Sequence, residues 1–361
     1  MNENTAGKKA LSLALLILGA VLLAISLYWD FTGSKLAIVT NSGSKIYFRG
    51  VFLVVGALMV LAGMYFIPTV MHHRTIINII FLFPLLFTFF VTVIVPMFVG
   101  IFYSFTDWNG VSYTKMVGFQ NYAAMFKDPA FMWSLLLTVL FVAVNMILVN
   151  LVAFLLALLC TTKLKGVGFF RAAYFLPNLI GGIVLGYIWQ FVFSNVLTTI
   201  LNSPHSALAS TNTAFIAIIV VYVWQYAGYL MLIYINGLAT VPKDVLEAAQ
   251  IDGADAMKTL FQIKIPMIAA TFTICTFLTL TSAFKQFDVN LALTNGVGTV
   301  RNFMGSRLSN GTQMIALNIY NTAFARDMYG YAQAKAILFF IILACVSLVQ
   351  VRISNKREVE M

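Results

Sequence analysis

Charge is scarce in this chain: Asp, Glu, Lys and Arg make up 9% of 361 residues, while 61% are hydrophobic. Soluble domains carry about 25% charge, so this composition excludes them and points to a multi-spanning membrane protein. Cysteine is scarce too. Cys160, Cys275 and Cys345 each lie within an apolar run, far apart, which excludes a disulfide framework and a zinc spacing. The three histidines give no metal pattern: His72 and His73 flank a span end beside Arg74, and His205 lies in a loop. No G-x-x-x-x-G-K-[ST] phosphate cradle, HExxH or GxSxG is present, so the chain is expected to be no enzyme and to bind no cofactor or metal itself. No Asp or Glu falls near the middle of an apolar run, which argues against an ion-coupled secondary transporter. The formal charge of +10 comes from 22 Lys and Arg spread over many loops. Without a basic face this is no nucleic-acid signal; the partner is the lipid bilayer.

Apolar runs are what the chain has. Eight are long enough to span, at about 10–29, 49–70, 76–103, 132–161, 175–193, 213–238, 267–285 and 331–351. A bilayer core takes about 20 residues per helix, so an all-α polytopic protein is expected rather than a barrel. The first run is too long for a cleaved signal peptide and is read as a retained span. The third holds Pro84 and Pro96, tolerable where neighbours satisfy the freed carbonyls. A basic loop with Lys163, Lys165 and Arg171 precedes the fifth, and Gly182 and Gly186 form a GxxxG that can bring two helices close.

Between the sixth and seventh runs lies the most polar ordered stretch, Val241 to Pro266, VPKDVLEAAQIDGADAMKTLFQIKIP. It reads as two short helices with a break. Pro242 and Asp244 suit the start of the first. Leu246, Ala249 and Gln250 share one face, and Ala248 and Ile251 begin another. Gly253 can take positive φ and end that helix. Asp252 or Asp255 can cap the second, through Leu260, Phe261 and Ile263, which Pro266 closes.

Glu247-Ala248-Ala249, Gly253-Ala254 and Ile263/Ile265 before Pro266 resemble the EAA loop of ABC importer membrane subunits, and Ile251-Asp252-Gly253-Ala254 is similar to its carbohydrate branch. Val245 departs from the aromatic that relatives often carry there. Ser104 to Trp108, Gly118-Phe119-Gln120-Asn121-Tyr122 and Asp128-Pro129 match a second pattern of sugar permeases. Phe284, Phe287, Asp288, Leu293, Thr294 and Gly296 match a third, with Val297 departing from its second glycine. The resemblance covers residues 76–352 and is to a maltose-transporter-like larger permease.

It implies a type I ABC importer permease fold: residues 1–75 as two additional N-terminal helices, 76–352 as a six-helix core with the coupling loop at 241–266, and 353–361 as a cytoplasmic tail. It implies a bacterial cell (inner or cytoplasmic) membrane location with both termini cytoplasmic. The Lys and Arg bias is weak, so the orientation rests on the coupling loop. It also implies transport of a sugar, with an oligosaccharide expected, delivered by an extracytoplasmic binding protein, with a second permease subunit as heterodimer partner and two cytoplasmic ATP-binding subunits that hold ATP and Mg. The coupling contacts would fall on Glu247, Ala248, Ala249, Asp252, Gly253 and Ala254, and Gly253→Asp would force a Cβ into the turn and add charge, uncoupling hydrolysis from transport. A non-transporting membrane scaffold is the other reading of such a loop.

A sugar pathway needs amide and hydroxyl side chains to replace water, and aromatic faces to stack on C–H surfaces. Asn145, Asn150, Tyr187, Gln190, Trp224, Gln225, Tyr229 and Asn236 are of the right types at membrane depth. Each is equally suited to an interhelical hydrogen bond. Lys285 and Asp288, three apart, can pair; an ion pair at the outer mouth or contact with a binding protein is expected of them before direct sugar contact.

Overall fold

A computed structural model of the chain describes residues 3–31, 37–39, 45–47, 49–66, 73–162 and 165–359. His72, Lys163 and positions 67–70 of the second expected span lie outside them. The chain divides into two compact units, Met1–Phe98 and Val99–Met361.

In the first unit, helices α1 (Glu3–Phe31) and α2 (Arg49–Tyr65) are joined through a short antiparallel pair, β1 (Ala37–Val39) and β2 (Lys45–Tyr47). The two helices pack antiparallel through small residues. A Cβ on Gly19 would lie 2.7 Å from Val60, one on Gly63 2.8 Å from Leu16, and Ser12 Oγ donates to the Gly63 carbonyl at 2.7 Å. At 17 residues α2 is about 25 Å long, short of an average hydrocarbon core. Helix α3 (His73–Phe89) follows and passes through a π-helical turn, Phe90–Ile94, into α4 (Val95–Ser104). Thr88 and Thr92 hydroxyls donate to carbonyls four residues back, Thr88 to that of Pro84, as expected where no water is at hand.

The second unit is built on α6 (Pro129–Cys160), entered through the short α5 (Gln120–Lys127). Asp128 caps α6 by accepting from Ala130 N at 3.0 Å, with Pro129 at the first helical position. Helix α7 (Val167–Leu179) is followed by α8 (Gly182–Phe191), a π-helical turn (Val192–Val196) and α9 (Leu197–Ile200). The fifth span expected from the sequence is therefore shifted: Pro177 and the extended Ile180 and Gly181 end α7, and the long apolar helix is Gly182–Ile200. Helix α10 (Thr211–Ala239) packs on α6 and α7, and the buried core gathers here around Phe141, Tyr222, Leu230 and Tyr234. Gly228 is obligatory at this crossing, because a Cβ there would meet the Tyr174 carbonyl.

Helices α11 (Lys243–Ile251), α12 (Ala256–Lys258), a π-helical turn (Thr259–Lys264) and α13 (Ile265–Met267) lead to α14 (Ala269–Phe284). The axis turns by 71° between Met267 and Ala269. Pro266 lies one residue inside the preceding helix, so the bend falls at Ile268 rather than at the proline. A fourth π-helical turn (Asn290–Thr294) packs on α8, where a Cβ on Gly186 would strike Ala292. That is the close approach the GxxxG predicts. The hairpin β3 (Val300–Phe303) and β4 (Ser306–Leu308), then α15 (Ile315–Phe324) and α16 (Tyr329–Val359), complete the chain. Among the described residues six helices are long and apolar enough to cross a membrane, seven with the bent pair as one span. The remaining expected span is α2.

Candidate functional site: a coupling loop and a polar cavity on one bent helix

Two features share the stretch from α11 to the end of α14. At one end, α11 packs inward through Leu246 and Ala249 and leaves Glu247, Ala248, Gln250, Asp252 and Gly253 exposed. Gln250, placed with Leu246 and Ala249 by periodicity, lies off that face. Gly253 has φ +77°. Its N–H donates to Gln250 O at 3.1 Å and that of Ala254 to Ala249 O at 2.9 Å, the two bonds of a Schellman turn. Asp255 then caps the next helix by accepting from Lys258 N at 2.7 Å, while Asp252 ends the first. Among the described residues no atom beyond its chain neighbours lies within 4 Å of a Cβ built on Gly253, so side-chain crowding does not explain the glycine; its backbone angle does. Ile251, 87% exposed, stands at the turn as an apolar projection that none of the described residues covers.

At the other end, α10 and α14 enclose a cavity of about 360 Å³. Tyr226, Tyr229 and Leu230 face it from α10; Leu278, Thr279, Thr281 and Ser282 face it from α14; Lys285 to Asp288 close it. Gln286 is 6% exposed and its Nε2 has no hydrogen-bond partner among the described residues, although it lines this polar space. A buried amide so placed is a ready donor to a polar ligand. Lys285 and Asp288 do not pair. Asp288 lies instead against the first turn of α8, its Oδ2 3.1 Å from where a Cβ on Gly182 would be, at the positive end of that helix.

Of the eight pathway candidates, Tyr229 lines the cavity. Asn150 stands behind its wall, donating to Thr279 Oγ1 at 3.1 Å and accepting from Tyr234 at 2.9 Å, an interhelical tie. Asn145 is fully buried and donates to Phe141 O at 2.8 Å; its Oδ1 has no partner among the described residues. Gln225 is buried near the Ile180 carbonyl, at 3.4 Å. Trp224 packs edge-on against Trp189 at 5.4 Å; Tyr187 and Asn236 are exposed, and Gln190 is half-buried. Sequence reasoning missed Gln286, Ser282 and Thr279. The only signal was the place of Ser282 and Gln286 within the S-A-F-K-Q-F-D stretch; Thr279 lies before it, in the apolar run.

The motif Ser104 to Trp108 has an architectural role here. Asp107 Oδ1 accepts from Thr114 N and Lys115 N at 2.9 and 3.0 Å, and these bonds hold its carboxyl below the usual carboxylate range. Asn121 Nδ2 donates to the Ser104 and Thr106 carbonyls at 2.8 and 3.0 Å, so the two matched patterns lock together.

These features define a class: a multi-pass membrane protein with a solvent-exposed polar turn joined by one bent helix to a polar cavity. Residues 166–359 match the family described as binding-protein-dependent transport system inner membrane component. The chain is 40% identical to the "probable starch degradation products transport system permease protein AmyD" of Thermoanaerobacterium thermosulfurigenes, over 78% of this chain and 95% of that one. It is 33% identical to the "multiple sugar-binding transport system permease protein MsmF" of Streptococcus mutans, over 73% and 90%. A bacterial ABC transporter structure, "involved in the import of the acidic polysaccharide alginate", shares the fold with a TM-score of 0.67 at 17% identity, over 79% of this chain and 97% of that one. The chain belongs to the binding-protein-dependent transport system inner membrane component family and is a transmembrane translocation subunit of an ABC transporter.

Proposed function

We propose that the chain forms half of the translocation pathway of an ATP-driven importer for a neutral oligosaccharide of the starch-product type. The observation that carries this reading is the bent stretch Ala256–Phe284, with an exposed docking turn before it and a hydroxyl- and amide-lined cavity at its far end. Sugar-permease names among relatives at 40% and 33% identity support the substrate class. The turn around Glu247 to Ala254 docks on a cytoplasmic ATP-binding subunit, one of two, which hold ATP and Mg. In this reading the loop and both termini face the cytoplasm of a bacterial cell. A second permease subunit supplies the other half of the path, and an extracytoplasmic binding protein delivers the sugar.

In this scheme ATP binding moves the docked turn, and the bent helix carries that motion about 20 Å along α14 to Thr279 and Ser282. Energy reaches the path only if the two states differ in their contacts with the ATPase. In the cavity, Gln286, Ser282, Thr281 and Asp288 replace the hydration of sugar hydroxyls, while Tyr226, Tyr229 and Phe287 offer ring faces. Gln286→Leu keeps the shape and removes the donor. Losing one such bond costs about 1–2 kcal/mol, so the sugar concentration for half-maximal uptake rises about tenfold in proteoliposomes. An unchanged value removes Gln286 from the site.

A further inference from the structure

Beside the cavity lies a groove of about 580 Å³ formed by α15, the first turns of α16 and the loop at Trp108, a size within the roughly 300–1,000 Å³ of ligand clefts. Its aromatic rings form an unbroken series. Phe287 meets Tyr320 at 5.2 Å between ring centres, Tyr320 meets Phe324 at 4.9 Å, and Phe324 meets Tyr329 at 5.7 Å. Tyr329 meets Trp108 at 5.5 Å, and Trp108 stacks on Tyr103 at 4.2 Å and 15°. Phe287 lines both the groove and the polar cavity, so the two spaces share a wall. The far end is held in place: Gly330 N donates to the Trp108 carbonyl at 2.8 Å, tying the loop to α16. From Phe339, whose ring centre lies 6.2 Å from that of Phe284 at the end of α14 opposite the docking turn, the groove follows α16 for about 15 Å to Tyr329.

Rings in an interfacial belt anchor one by one at headgroup level. A connected series that starts on the wall of a polar cavity and runs outward suits a different task. Pyranose rings present C–H faces that pack on aromatic rings, and Tyr320, Tyr329 and Gln333 add polar groups beside them. We infer that this groove is an extended sugar-binding track: it holds the trailing units of a linear oligosaccharide whose leading unit enters the cavity at Tyr229 and Gln286. The inference rests on the oligosaccharide-import reading above. It predicts that the track matters for long chains and not for short ones.

The test uses the complete importer, isolated with its binding protein and reconstituted, with linear α-1,4-glucans of two and seven units as probes. Tyr320→Ala and Phe324→Ala, at exposed rings, are expected to raise the half-maximal concentration for the seven-unit glucan about five- to tenfold and to leave the two-unit glucan unchanged. Tyr320→Phe and Phe324→Tyr are expected to restore wild-type behaviour. A thiol placed by Phe324→Cys should be shielded from a charged maleimide by the seven-unit glucan and not by the two-unit one. Equal losses for both lengths, no loss for either, or poor recovery of the assembled complex from the alanine variants would overturn the track; the last would mark the groove as a seat for the second permease. A wild-type importer that moves neither glucan would instead overturn the substrate reading, and the track with it.

Discussion

Gly253→Val is expected to abolish ATP-coupled uptake while leaving the chain in the membrane at its normal level. At φ +77° a β-branched residue is a steric outlier, and a left-handed residue costs about 1–2 kcal/mol even before β-branching is counted. The variant relieves that strain by opening the Schellman turn, which breaks the Ala254 to Ala249 and Gly253 to Gln250 bonds and re-aims α11 against α12. Among the described residues no atom beyond its chain neighbours lies within 4 Å of a Cβ built on Gly253, so the expected loss starts from the backbone of the turn. Gly253→Asn, a residue that tolerates the left-handed region, should retain most uptake. Of the causes expected for Gly253→Asp, crowding falls away, because the space around a Cβ is open among the described residues; the added charge and the cost of a side chain at φ +77° remain. Uptake and membrane level measured side by side check this; a Val variant with normal uptake would remove the turn from the coupling account.

Lys335→Met is expected to cost about 3–5 kcal/mol of stability, the range found when one partner of a buried ion pair is removed. Lys335 is fully buried on α16, and its Nζ donates to Asp128 Oδ2 at 3.1 Å, Asn318 Oδ1 at 3.0 Å and Thr322 Oγ1 at 3.1 Å. The ammonium also lies 4.4 Å from the Tyr331 ring centre. One side chain thus ties α16 and α15 to the cap of α6. Its loss leaves a carboxylate 19% exposed with its main counter-charge gone. The double variant Asp128→Asn/Lys335→Met should lose less than the two single losses added together, because the orphaned charge is gone. Burial pushes the Asp128 carboxyl up, but the Lys335 ammonium and the N–H groups of Ala130 and Phe131 outweigh it and hold it below the ordinary range. A depressed carboxylate contributes stability that is fully present above its unfolded pKa, about 3.9, and is lost as pH falls through the lower folded value. Thermal unfolding of the wild type should therefore show no contribution from the Asp128 carboxylate to pH dependence between 5 and 8. Equal stability of wild type and Lys335→Met at pH 7 would contradict the argument.

The coupling turn was legible because its signals are local. Gly253, Asp255 and the apolar face of Leu246 and Ala249 follow from backbone preference and periodicity over a dozen residues. Asp128-Pro129 likewise announces the start of α6. The cavity was not legible for a physical reason. In helices apolar on all sides, such as α10 and α14, periodicity gives no face, so amides and rings at membrane depth could not be sorted into path and packing. Asn150 is a tie between helices and Tyr229 a wall residue, although both are polar groups in apolar runs. Lys335 was overlooked within the last run. A lone cation there is a signal in itself, but its partner Asp128 lies 207 positions away and only the fold brings them together. The split of the fifth run was readable in Pro177 and Gly181-Gly182, which interrupt an otherwise continuous apolar pattern.

The most direct test of the account is ATP hydrolysis by the complex that co-purifies with this chain, measured in nanodiscs with and without a sugar-loaded binding protein. The account predicts recovery of a second permease and an ATP-binding subunit, with hydrolysis stimulated by the loaded binding protein and lost in Gly253→Val. A chain that purifies alone and moves its substrate down an ion gradient would contradict it.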